Sequence, residues 1–274
     1  MAPLQDLEGI WGKPTSTLDW CEYNYVVTPY IAEFWNTVSS LALVFIPVLD
    51  LVYTKLTAPK WVSIECRNYM ACLAFVSVGL GSWFFHMSLL YETQLLDEIP
   101  MIWGTCVLVY LFFENNSKPH SHNYALVLFL IVYSSLVTGI YVLVINPIFH
   151  QIAYTLLVFS AMARGAYCFF YLKMDCSPVL FLLSILLYVC GGVLWLLDNG
   201  LCTQLRYARS VIPAPLGVGL QLHAWWHVLA GLGAHCQFMF SYHSRLRYLK
   251  HNTRVWVGWF PLVTMGGKEN GHLN

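Results

Sequence analysis

Charged side chains are what this chain has least of. Asp, Glu, Lys and Arg together make 10% of its 274 residues, and their formal charges cancel to zero. Soluble domains carry roughly a quarter charged residues, so a water-exposed globular surface is excluded. No basic patch is left for nucleic acid, and no run of one charge reads as a disordered tail. An internal repeat and a low-complexity stretch are missing too, which removes the usual pattern of a secondary transporter. Residues 1–30 hold no positive segment followed by an apolar core, so no signal peptide is expected there.

The chain is instead 58% hydrophobic and 16% aromatic, with mean hydropathy +0.59. A spanning helix needs ~20 apolar residues. Seven segments qualify, at about 33–54, 68–88, 95–113, 123–143, 149–171, 179–198 and 219–242. The expected fold is an all-α integral membrane protein, a seven-transmembrane-helix bundle with short connections. Residues 1–32 form an N-terminal segment, 33–243 the membrane domain and 244–274 a tail. Seven spans put the termini on opposite sides. The N-terminal side carries Lys13, Arg206 and Arg209. The other carries Lys55, Lys60, Arg67, Lys118, Lys173, Arg245, Arg247, Lys250, Arg254 and Lys268. By the positive-inside rule the C-terminus is cytosolic and the N-terminus lumenal.

Of the nine cysteines, Cys72, Cys106, Cys168, Cys190 and Cys236 fall in predicted helices as small apolar residues. Cys66 and Cys176 lie near cytosolic ends, where thiols stay reduced. Cys21 and Cys202 alone lie in lumenal segments, where a disulfide between them is expected.

Ionisable residues in a bilayer are costly and mark function. His223 and His227 stand four apart, on one helical face, at the start of the last span. His86 ends the second span at the same expected depth. Three imidazoles with a fourth position open are the ligands of a catalytic zinc site. The competing reading makes each a hydrogen-bonded interhelical histidine, and His150, His235, His243 and His251 are assigned to it.

Asp97 is placed at the start of the third span, across a short turn from His86, where a carboxylate can move protons for a hydrolysis. A dipole-complementing carboxylate is its alternative, a role that suits Glu98 better. Ser82, four before His86, can donate to an oxyanion or bond back to its own helix. Asp198 reads either as a partner of a ligand imidazole or as a helix-end residue. Arg164 reads as snorkelling from a helix end. Trp20, Trp35, Trp83, Tyr91, Tyr154, Trp225 and Trp226 read first as interfacial belts and packing. The run Asp19-Trp20-Cys21-Glu22-Tyr23-Asn24, with Glu33, offers hard oxygen ligands suited to calcium, more than Lys13, the only positive side chain expected nearby, would neutralise. A solvated acidic lead-in is the equal alternative, although Glu33 sits among apolar neighbours.

Several of these stretches occur together in a known family. Ser16-Thr17-Leu18-Asp19-Trp20-Cys21-Glu22-Tyr23-Asn24-Tyr25, Ile31-Ala32-Glu33-Phe34-Trp35-Asn36-Thr37 and Gly81-Ser82-Trp83-Phe84-Phe85-His86 resemble the alkaline ceramidases. So do Gln94-Leu95-Leu96-Asp97-Glu98-Ile99-Pro100-Met101 and Gln221-Leu222-His223-Ala224-Trp225-Trp226-His227. Met1-Ala2-Pro3, Gly9-Ile10-Trp11-Gly12 and Pro147-Ile148-Phe149-His150-Gln151 lean toward the type three branch.

The resemblance implies a seven-helix enzyme of endoplasmic reticulum and Golgi membranes, with the plasma membrane a further location. It would cleave ceramide taken from the bilayer to sphingosine and a free fatty acid. It implies zinc on His86, His223 and His227, and catalytic roles for Ser82 and Asp97. It further implies stimulatory calcium on Asp19, the Trp20 carbonyl, Glu22, Asn24 and Glu33, and the Cys21–Cys202 disulfide. No protein partner is implied. Tyr23 and Gly104 depart from the family pattern, and Gly104 is expected to alter a chamber wall. The rival class is a heptahelical zinc-containing lipid receptor of the adiponectin or progestin type. Those receptors place the N-terminus in the cytosol, against the charge split here.

Overall fold

The computed structural model describes residues 8–59, 64–119, 121–258 and 261–265. Met1-Ala2-Pro3, Lys60 and Lys268, used above, lie outside them. The long helices are α1 (Phe34–Thr57), α2 (Cys66–Ser88), α3 (Tyr91–Phe113), α4 (Tyr124–Val144), α5 (Pro147–Phe170) and α6 (Pro178–Gly200). Then come two short helices, α7 (Cys202–Val211) and α8 (Ala214–Gly217), a 3-10 turn at Val218–Leu220, and α9 (Leu222–Tyr248). A two-stranded antiparallel hairpin follows, β1 (Thr253–Trp256) and β2 (Leu262–Met265), with Val255 opposite Val263.

Helices α1 to α6 are each long and apolar enough to cross a membrane by length and composition. Local signals set their starts. Asn146 and Ser177 cap α5 and α6 through their side chains, each followed by proline at the first helical position. Asn123 Oδ1 accepts from Leu126 N, 3.0 Å away, at the start of α4.

α9 differs. It runs 27 residues, about 40 Å at the helical rise, but carries His223, His227, His235, Gln237 and His243 along its length. Every one of these is buried. A helix enclosed by α1, α3 and α6 can carry such residues because its surroundings are protein. The predicted boundary at 243/244 falls inside it.

The main core lies toward the end of α9, where Phe112, Phe181 and Phe240 pack together. A smaller cluster of Trp20, Tyr25, Ala32, Phe85 and Leu89 lies toward its start. Two elements were not expected from the sequence. α7 folds back over the N-terminal segment, to which the Cys21–Cys202 disulfide ties it. The hairpin seats Val263 in the main core and places the Pro261 carbonyl to accept from His235 Nε2 at 2.8 Å. The described part of the tail is therefore folded onto the bundle.

Candidate metal centre and active site

α2 and α3 are joined by only two residues, Leu89 and Leu90. Leu89 takes a left-handed conformation (φ 52°) although fully buried, and its carbonyl accepts from Thr15 N and Ser16 N at 3.1 Å. The tight reversal sets the last turns of α2 against the first turns of α3. Gly81 permits the approach: a Cβ there would lie 1.9 Å from the Leu96 carbonyl oxygen. Its neighbour Ser82 is thereby brought near enough to Asp97 to bear on its carboxyl. Gly81→Ala is expected to force α2 from α3 at a cost of about 1–3 kcal/mol. Displacing Ser82 from Asp97 should also lower kcat by up to about 100-fold. Unchanged kcat and melting temperature in the purified variant would refute this role.

His86, His223 and His227 are each no more than 4% exposed. One nitrogen from each lies within 4.8 Å of the others, the one such group of His, Cys, Asp or Glu among the described residues. Ring centroids are 4.6 to 5.1 Å apart. Each ring is held from outside. His86 Nδ1 lies 2.6 Å from Glu33 Oε2. His227 Nδ1 lies 2.8 Å from Ser39 Oγ, which itself donates to the Asn36 carbonyl at 3.0 Å. Trp20 stacks on His223 at 3.8 Å and 18°, so it is no interfacial belt residue.

The test for a metal is whether buried ring nitrogens of this group lack a partner. His86 Nε2 and His223 Nδ1 are buried with no hydrogen-bond partner in the protein, and buried polar atoms are seldom left so. A ring held at one nitrogen by a carboxylate or a hydroxyl, with a nitrogen from each ring converging, is how ligand imidazoles are oriented. The residues fit a metal. Ser82 Oγ stands 3.4 Å from His227 Nε2 and 3.0 Å from Ser40 Oγ, so it faces this site.

Four expectations need correction. α3 starts at Tyr91, so Asp97 and Glu98 lie beyond its first turn and neither complements its dipole. Glu98 is a buried junction of three helices. It accepts from Gln94 Nε2 at 2.9 Å and from Tyr141 Oη, and its backbone carbonyl accepts from His150 Nε2 at 2.8 Å. Lys13 is not the only cation near the acidic segment, because the fold of α7 brings Arg206 and Arg209 there. Arg206 donates to the Trp20, Cys21 and Glu22 carbonyls at 3.1 to 3.4 Å and lies 4.5 Å over the Tyr23 ring. Arg209 donates to the Cys21 carbonyl at 2.6 Å. Gly104 faces Ala74 of α2, at 3.3 Å for an added Cβ, instead of a chamber wall.

The acidic residues are engaged as well. Glu22 accepts from Trp35 N and Asn36 N at 2.8 and 3.0 Å and so caps α1 from a distance in sequence. Glu33 accepts from Trp20 N at 3.3 Å and Asn36 Nδ2 at 3.1 Å. Burial, then the charge of Glu33, pushes the Glu22 carboxyl up to about 8. Burial pushes Glu33 well above the carboxylate range, with Asp19 adding to it. Asp198 takes the helix-end role, accepting from Cys21 N at 3.2 Å and His223 N at 3.3 Å. Arg164 donates to Asn116 Oδ1 at 2.9 Å.

A many-span helical membrane protein with a buried trihistidine group is thus the class that fold and site define. A family model described as Ceramidase matches residues 12–264. Alkaline ceramidase 3 of Mus musculus is 44% identical over 255 residues, covering 93% of either chain. Alkaline ceramidase YPC1 of Saccharomyces cerevisiae is 34% identical over 288 residues, covering 97% of this chain and 90% of its own. The alkaline ceramidase of Arabidopsis thaliana is 23% identical, covering 94% and 95%. The chain belongs to the ceramidase family.

Proposed function

We propose that this protein is a zinc-dependent intramembrane amidase that hydrolyses ceramide to sphingosine and a free fatty acid. The observation that carries the reading is the convergence of one ring nitrogen each from His86, His223 and His227, in a buried group where two ring nitrogens have no protein partner, beside Ser82 and Asp97. Held by the three histidines, zinc would supply Lewis-acid activation of water and of the amide carbonyl. Asp97 accepts the proton of the attacking water and delivers it to the departing amine. Ser82 donates to the oxygen that becomes negative. Glu33 holds the His86 ring.

α9 serves as the seventh span, with the N-terminus lumenal and the C-terminus cytosolic, in endoplasmic reticulum and Golgi membranes. Support comes from its 27-residue length, its enclosure and the charge split. Ceramide enters from the bilayer with its amide toward the histidines, and no protein partner is required.

Calcium on Asp19, the Trp20 carbonyl, Glu22, Asn24 and Glu33 would hold the N-terminal segment over the site. The raised carboxyls of Glu22 and Glu33 support a cation there, since it would keep both ionised. A pKa above the unfolded value of 4.5 gives stability present below that pH and lost as pH rises toward about 8. Protein in calcium-free buffer is therefore expected to lose stability from pH 5 to 8, by a few kcal/mol in order of magnitude. Added calcium should raise the melting temperature more at pH 8 than at pH 5. Equal shifts at both would remove calcium from these residues.

The reading is tested on purified protein given ceramides of defined acyl length, with sphingosine followed by mass spectrometry. Release should vanish when zinc is chelated and return with zinc. Release that survives complete stripping overturns the zinc role, and none from zinc-loaded protein overturns the amidase.

A further inference from the structure

Between α1, α2 and α9, beyond His235 from the trihistidine group, lies a cavity that the reaction does not use. Its walls are largely apolar, but Asp50, Thr54, Asn68 and Tyr242 also line it. Asp50 is 3% exposed, and its Oδ1 has no hydrogen-bond partner in the protein. The Tyr242 hydroxyl is also buried without a partner and lies within electrostatic reach of Asp50. None of the described lining residues is a lysine or arginine. A lone ionised carboxylate in such a place is too costly without a counter-charge.

Pro47, on the cavity wall, lacks an N–H and leaves the Leu43 carbonyl without its helical donor. Three helices thus bring a carboxylate, two hydroxyls and an amide to one place, with one negative charge among them. We propose that this cavity binds a single monovalent cation of about sodium's size.

The alternatives fit less well. Hard oxygen donors suit alkali and alkaline-earth cations, but calcium sites draw on several carboxylates, and here there is one. Asp50, Cys72 and His235 do not gather three ligand atoms within 4.8 Å among the described residues, which disfavours a transition metal. The room is about 30 Å³, enough for a guest of one or two waters' size and too small for a lipid amine with its chain. Bound there, the cation would tie α1 to α9, the helices that carry Ser39 and His227.

The test is the melting temperature of the detergent-purified full chain in sodium, potassium or choline chloride at equal concentration. Saturating sodium should raise it by about 5 °C over choline, with potassium giving less. Asp50→Asn should lose the sodium-specific rise while its zinc content stays unchanged. Equal midpoints of the wild-type protein in sodium and choline overturn the proposal, whatever the variant does. A sodium rise that persists in Asp50→Asn overturns it too, because sodium then acts at a site other than Asp50. If Asp50→Asn does not fold, Thr54→Val and Tyr242→Phe each remove one oxygen and should weaken the apparent sodium affinity several-fold. Unchanged affinity in both is the overturning result.

Discussion

His227→Ala is expected to lose the metal and ceramide hydrolysis together, with activity down about 1,000-fold or more. Lewis-acid activation supplies several kcal/mol of transition-state stabilisation, and each 1.36 kcal/mol is a factor of ten in rate. The position is unforgiving because its outer nitrogen is fixed by Ser39 Oγ at 2.8 Å and its inner one faces Ser82. An alanine removes the imidazole from both groups. Ser39→Ala, by contrast, removes one hydrogen bond to the ring and should weaken metal affinity by about 10- to 100-fold. Zinc content by mass spectrometry and sphingosine release are measured on the same sample. Full activity in a metal-free His227→Ala preparation would remove the whole scheme.

Asp97→Asn should separate proton transfer from metal binding. The amide has nearly the shape of the carboxylate and can still sit beside Ser82, but it cannot take a proton. A loss of about 100- to 10,000-fold in kcat is expected, with zinc content unchanged and KM moved little. Ser82→Ala should cost about 100- to 1,000-fold, as for an oxyanion donor. If Asp97→Asn retains wild-type kcat, the base is elsewhere. If it loses zinc, Asp97 supports the metal site instead.

Much of this site could be read along the chain because helical spacing carries geometry. His223 and His227 had to share a face, and their equal depth with His86 followed from alternating helix directions. Ser82 and His86, again four apart, likewise had to face one way. What holds these residues was not legible. Trp20 stacks on His223 across 203 positions of sequence, and its aromatic character alone read as an interfacial anchor. Arg206 and Arg209 reach the acidic segment only because α7 folds back under a disulfide spanning 181 residues. Glu98 looked terminal because the third apolar span was placed from about 95, whereas α3 begins at Tyr91.

By itself, then, the sequence determined the membrane class, the six long apolar helices and the chemical types at the site. Scarce charge, ~20-residue apolar runs and the 3.6-residue period are local properties that every chain segment obeys. Tertiary structure alone decided which outer nitrogen meets Glu33 or Ser39, and how closely α2 could approach α3 at Gly81. It also decided that a lone Asp50 would face a cavity shared by three helices. Those outcomes depend on contacts between segments far apart in the chain, where distance and burial, rather than residue type, set the chemistry.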